Sequence, residues 1–290
     1  MRFVMTVLLW LVTTAALAVA VPTAWAQTTV VSEDGYAGFA ASAAEDPSLQ
    51  QAVAAALTTQ ILDLAGDNGY GDLNAALVRK VATSYTGNAG FPGQFAQANR
   101  IAHRYVFTDS AQPGGQQNQW LIDVAPMLSD SSFRATLGDL NLGVPETLEV
   151  PITVPSAELR PGKLRPLATW TPWAAVGSAV LAGVFALLTL AAARSRGKAV
   201  AALGVSALLV GAAGWAALEV ARGRVDGALG NTTGDIRLIA DAMVGHAEDS
   251  LHHWFNLTLA AGGALVAAGV VVAMLGGLRG RERRSGFDHV

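Results

Sequence analysis

Residues 170–218 read WTPWAAVGSAVLAGVFALLTLAAA (170–193), then RSRGK (194–198), then AVAALGVSALLVGAAGWAAL (199–218). Two uncharged apolar runs, of 24 and 20 residues, flank five residues that carry three positive charges. Crossing about 30 Å of hydrocarbon takes roughly 20 helical residues. The stretch therefore predicts two antiparallel transmembrane helices joined by a short basic turn.

Working outward, two further runs meet the same criterion: Phe3–Ala24, preceded by Arg2, and Trp254–Leu278. Glu219 closes the third span, where a carboxylate reaches the interface, and marks a boundary rather than an intramembrane acid. The tail after the fourth span holds Arg279, Arg281, Arg283 and Arg284. Short basic loops stay in the cytoplasm. With four spans, both termini and the turn Arg194–Lys198 are then cytoplasmic, and residues 27–168 and 219–253 lie outside. The charges agree with that sense. Residues 27–168 hold 14 acidic and 8 basic side chains, whereas the cytoplasmic pieces hold 8 basic and 2 acidic. Trp170, Trp173, Trp254 and Phe255 sit where interfacial aromatics belong. The first span has two readings. It is an uncleaved signal anchor, or a secretory signal cut after Ala24-Trp25-Ala26. The expected organisation is a first span over 1–26, an extracytoplasmic domain over 27–168, a three-helix membrane region over 169–278 with external loop 219–253, and a cytoplasmic tail over 279–290.

Composition supports the membrane reading. Hydrophobic residues make up 52% of the 290 and charged ones 14%, against about 25% charged in soluble domains. The absence of cysteine excludes disulfides, thiolate metal sites, cysteine nucleophiles and iron–sulfur clusters.

The external segment reads as mostly helical. Asp46-Pro47 starts a helix with proline in its first turn, and Leu49, Val53, Leu57, Ile61 and Leu64 form one apolar face. Leu73, Leu77, Val81 and Tyr85 line a second helix, broken at Gly87-Asn88-Ala89-Gly90. A third covers Pro92–Phe107, and Asp109–Gln119 is a polar turn. The period then changes. Trp120–Val124 and Leu148–Val154 alternate as two strands, the second marked as an edge by Pro151. Pro126–Leu140 reads as helix, and Ser156–Pro166 links to the membrane. The fold class predicted is mainly α: four transmembrane helices, plus a mostly helical extracytoplasmic domain with a small two-stranded β element.

The order of these features resembles a group of actinobacterial multi-pass membrane proteins with no assigned function. The residues concerned are Glu33-Asp34-Gly35-Tyr36, the helix from Asp46-Pro47, Gln97-Ala98-Asn99-Arg100-Ile101-Ala102-His103, Trp120-Leu121-Ile122-Asp123-Val124 and the paired spans. The central run is similar to W-x-x-A-N-R-x-A-H, with Phe95 near the place of the tryptophan. The resemblance covers residues 30–280 and implies the topology, not an activity. The use of 16 arginines against 3 lysines, with abundant Ala, Gly and Val, fits a GC-rich, actinobacterium-like source.

Three sets of residues invite a functional reading. On a helix over Asp241–His253, His246, Asp249 and His253 share one face at i, i+3 and i+7, and Glu248 and His252 form a pair at i, i+4. Imidazole and carboxylate at such spacing could hold a divalent metal, or respond to pH. The same residues also suit a solvated amphipathic helix at the membrane surface. Asn99 and His103 share a helix face, either as a polar recognition patch or as a histidine packed over the core with its nitrogen on a backbone group. Gly262, Gly269 and Gly276, with Gly204 and Gly211, recur every seven residues, which permits close helix contact within the chain or with a partner.

The spans lack the intramembrane charges of a pump or secondary transporter. No phosphate-binding loop, kinase or zinc-protease motif is present. An acidic external domain argues against nucleic acid. The lipid bilayer and an envelope protein are the expected partners. The function expected is that of a non-enzymatic accessory or scaffold factor of the cell envelope, multi-pass in the plasma membrane. The alternatives are a metal- or pH-responsive sensor or membrane enzyme using 241–253, and a small-solute transporter.

Overall fold

A computed structural model describes residues 2–67, 73–107, 119–123, 149–153, 164–229 and 234–285. The expected turn over Asp109–Gln119, except Gln119 itself, the expected helix over Pro126–Leu140 and most of the Ser156–Pro166 link lie outside the described residues. The fold is mainly helical. Its α-helices are α1 (Arg2–Trp25), α2 (Glu33–Ala43), α3 (Pro47–Asp67), α4 (Ala75–Thr86), α5 (Phe91–Phe107), α6 (Arg165–Ala192), α7 (Arg196–Ala228) and α8 (Gly234–Ser285). A π-helical turn, Ala26–Val31, follows α1. Gln119–Asp123 and Glu149–Thr153 are short extended segments.

Four helical stretches are long and apolar enough to cross a membrane: Val4–Val31, Arg165–Ala192, Arg196–Gly227 and Gly234–Leu275. This is the architecture of a multi-pass membrane protein. Their large aliphatic side chains point outward; Leu187 is 68% exposed and Val176 62%, the inverse of a soluble helix and the surface that lipid covers. Trp170 and Trp173 are also exposed.

The described residues form two compact units. One gathers those of Met1–Gln27, Trp170–Asp226 and Glu248–Val290, the other those of Thr28–Thr169 and Gly227–Ala247.

In the first unit, glycines set the packing. A methyl group added to Gly204 would lie 2.6 Å from the Gly262 carbonyl oxygen and 2.6 Å from the Val266 nitrogen; one added to Gly197 would lie 2.7 Å from the Gly269 oxygen. Gly211 likewise faces Leu259 and the Phe255 carbonyl. Rising numbers on α7 meet falling numbers on α8, so the two helices run antiparallel with their backbones in near contact. The heptad glycines are thus used within the chain, and Gly197 extends the row by one step. The side-chain surroundings of Gly276 lie outside the description. Polar side chains join α1 to this pair. Trp10 Nε1 donates to the Ala202 carbonyl at 2.8 Å, and Thr14 Oγ1 donates to Ser206 Oγ at 2.8 Å. Trp25 Nε1 donates to Ser250 Oγ. Buried hydroxyls on Thr13, Ser178 and Thr189 donate to carbonyls one turn back in their own helices, so each is satisfied without water.

In the second unit, local chemistry sets the helix starts. Ser32 caps α2, its Oγ accepting from the Gly35 N–H, and Glu33 and Asp34 occupy the first turn, where a carboxylate favours the helix dipole. Asp46 caps α3 by accepting from the Ser48 N–H at 2.7 Å, which holds its carboxyl below the usual range. Asn74 caps α4 through Ala76 and Leu77. The core consists of Ala43, Ala44, Leu49, Val53, Tyr85 and Phe91, with Leu57, Phe95, Ile239, Ala242 and Met243 packed against it. The first turns of α8 therefore belong to this core, fixed further by Thr59 Oγ1 donating to Asp235 at 2.7 Å. Of residues 219–253, expected as an external loop, 219–228 and 234–253 are helical: α7 runs on to Ala228, and α8 opens at Gly234 in a left-handed conformation, φ +68°.

Candidate functional site

The histidine-rich stretch lies in the first half of α8, a continuous helix of 52 residues. At about 1.5 Å rise per residue, His246 and His253 stand roughly 10 Å apart along the axis. His246, in the second unit, packs its ring on Phe39 with centroids 5.2 Å apart. Asp249 and His253 are exposed in the first unit. Glu248 and His252 turn to α7 rather than to each other. Glu248 pairs with Arg222 at 3.4 Å. His252 stacks on Trp215 with centroids 3.8 Å apart, while Trp215 Nε1 donates to Asn256 Oδ1. Among the described residues no three His, Asp or Glu side chains are grouped so as to hold a metal ion. His246, Asp249 and His253 are thus not brought together by the fold.

The second polar group sits where α2 crosses α5. His103 is 7% exposed. Its Nε2 lies 3.0 Å from the Val30 carbonyl, which can only accept, so Nε2 carries the proton and donates. Its ring stacks on Phe107 at 4.2 Å and faces Tyr36 at 5.3 Å. Tyr36 donates to Asn99 Oδ1, and burial pushes its phenol above the usual range. Asn99 in turn donates to the Phe95 carbonyl. Around this cluster Arg100 pairs with Asp34 at 2.6 Å and Arg104 with Glu33 at 2.7 Å. Every polar atom named here answers another within the domain. Tyr36 with Asn99, Asp34 with Arg100 and Glu33 with Arg104 tie α2 to α5.

Glu33 provides a check on that role. The Arg104 guanidinium hydrogen-bonded to it holds its carboxyl below the usual glutamate range. A depressed folded value means that the stabilisation is present above the ordinary value and is lost as pH falls through the folded one. Glu33→Gln is therefore expected to lower stability at pH 7 by up to about 1 kcal/mol, since the pair is partly exposed. The gap to wild type should close in acid, once the pH has fallen below the lowered folded value. Denaturant melts of the detergent-solubilised chain at pH 7 and in acid measure it; an equal gap at both would show that the charge plays no part.

The residues missed by the polar pattern are Ile239, Ala242 and Met243. Their i, i+3, i+4 spacing was the signal for a face that packs on the second unit's core. The same unit exposes other aliphatic residues: Leu73 and Leu77, at 42% and 43%, and Ile236 and Leu238, at 57% and 54%. No protein family, curated protein or solved structure matches the chain.

Proposed function

We propose that the chain is a plasma-membrane scaffold factor whose second unit stands outside the cytoplasm and holds another envelope protein, with no chemistry of its own. The observation that carries this reading is the contrast within that unit. Glu33, Asp34 and Tyr36 of α2 are spent on Arg104, Arg100 and Asn99 of α5, while Leu73 stands exposed just before Ala75–Thr86 and Leu77 within it. Paired exposed aliphatics next to a satisfied polar network suit a docking face better than a reaction centre.

The sidedness rests on the arginines. Arg194, Arg196 and Lys198 in the α6–α7 turn and the four arginines after residue 278 favour a cytoplasmic place for those segments. The bonds from Trp10 and Thr14 into α7 favour a retained signal anchor, because a cleaved α1 would leave Ser206, 0% exposed, without its cross-helix partner. The pairing of Gln119 with Thr153 and of Asp123 with Glu149 supports a small antiparallel element as part of the external domain.

The test is amine-reactive crosslinking in native membranes followed by purification in mild detergent. One protein in stoichiometric amount is expected to copurify, and to be lost from a Leu73→Ser/Leu77→Ser variant whose melting temperature is unchanged. Absence of any stoichiometric partner, or its full retention by the variant, would count against the reading.

A further inference from the structure

A cavity of about 780 Å³ opens between α1, α6 and α7 near the α6–α7 turn. Its wall is mostly apolar, formed by Val7 and Trp10 of α1, Ala192 of α6, and Ala199 and Ala202 of α7, together with Thr6 and with Thr189, whose hydroxyl donates to the Phe185 carbonyl. Its rim carries Arg194 and Lys198, both exposed, with the Ser195 hydroxyl between them. Among the described residues no carboxylate pairs with either cation. Nearby aliphatic side chains of α1 (Val4, Met5, Leu8) and α6 (Leu187, Leu188) are exposed, so this end of the bundle lies against lipid.

We propose that this cavity binds an anionic phospholipid of the surrounding bilayer. The phosphate would take the Arg194–Lys198 rim and the first part of an acyl chain would lie along Val7, Trp10 and the alanines. Three features favour that occupant. The cavity falls in the range of about 300–1,000 Å³ that holds small ligands. Basic pockets between transmembrane helices at headgroup depth are suited to lipid phosphates. The wall offers little to a small hydrated anion, which would have no use for an apolar slot below the charges. The site stands apart from the scaffold reading: it holds whichever way the chain crosses the membrane and whether or not a protein partner exists.

The test is native mass spectrometry of the full chain in detergent, titrated with phosphatidylglycerol and with phosphatidylcholine of the same acyl chains. Each basic side chain facing an anionic headgroup contributes about a factor of five, so wild type should prefer phosphatidylglycerol by about thirtyfold. Arg194→Gln/Lys198→Gln should abolish the preference, whereas Arg196→Gln, which removes a charge from the same turn outside the cavity, should change it by less than about twofold. Ala192→Leu, which fills the cavity without altering charge, should lose the lipid while eluting and melting as wild type. A millimolar excess of inorganic phosphate should leave the lipid adduct in place. Equal binding of the two lipids, an Arg196→Gln effect as large as that of Arg194→Gln, retention by Ala192→Leu, or displacement by inorganic phosphate would each overturn the proposal.

Discussion

Gly204→Leu is expected to separate α7 from α8 and to cost at least about 3 kcal/mol, the upper end of overpacking penalties. The reason lies in what the new side chain meets. Its first carbon would sit 2.6 Å from both the Gly262 oxygen and the Val266 nitrogen. These are backbone atoms of a helix, and no rotamer change moves them. The helices must part, and parting them undoes the Gly197–Gly269 contact one step along. In lipid this loss is not offset by hydrophobic burial elsewhere, because helix association there depends on close packing and polar contacts. Gly263→Leu is the matched control. It lies next to Gly262 on α8, but nothing stands within 4 Å of its added carbon, so it should fall within about 0.5 kcal/mol of wild type. Reversible unfolding in mixed micelles compares the two. Equal stabilities for the Gly204 and Gly263 variants would mean that the stripe does not hold the pair together.

That stripe was legible from the sequence because seven-residue spacing in an apolar run has a definite meaning in a membrane. The helix start at Pro47 was legible from a proline in the first turn before an apolar face, and the helix that begins at Ala75 from the row Leu73, Leu77, Val81 and Tyr85. What could not be read has physical causes as well. α2 was missed because the residues it buries are Ala37, Ala40 and Ala43, which leave almost no hydropathic period; only Ser32 with two following carboxylates pointed to it. Gly35 belongs to the same close packing, since a side chain there would strike the Thr28 carbonyl. The contribution of the α8 head to the core was not read, because Ile239, Ala242 and Met243 share their helix with the histidines and carboxylates that dominate its polar pattern. One-dimensional spacing placed His246, Asp249 and His253 on one face. It could not show that His246 would be taken by Phe39, or that Glu248 and His252 would be claimed by Arg222 and Trp215. Side chains on one helix face compete for partners on neighbouring helices, and those partners lie far away in sequence.

Phe91→Ala is expected to cost the second unit about 3–5 kcal/mol, the range for deleting a buried phenylalanine. Phe91 is 1% exposed, meets Tyr85 edge-on with centroids 5.7 Å apart, and lies 5.6 Å from Phe95. It stands at the first residue of α5, just after the Gly87–Gly90 break, so its neighbours come from α3, α4 and the end of α2 as well as from α5. Little can collapse into the space, because Ala43 and Ala44, the small residues of the same cluster, are already fully buried at a helix end. The consequence that distinguishes this core from an ordinary helical hairpin is its reach along the sequence. Ile239, Ala242 and Met243 pack on the same cluster, so hydrogen exchange should quicken at residues 235–247 as well as at 47–67 and 91–107. Residues 199–218, in the other unit, should keep wild-type protection. A loss of less than about 1 kcal/mol would show that the site relaxes more freely than its burial implies. A change in exchange that stopped at residue 107 would show that the head of α8 does not share this core.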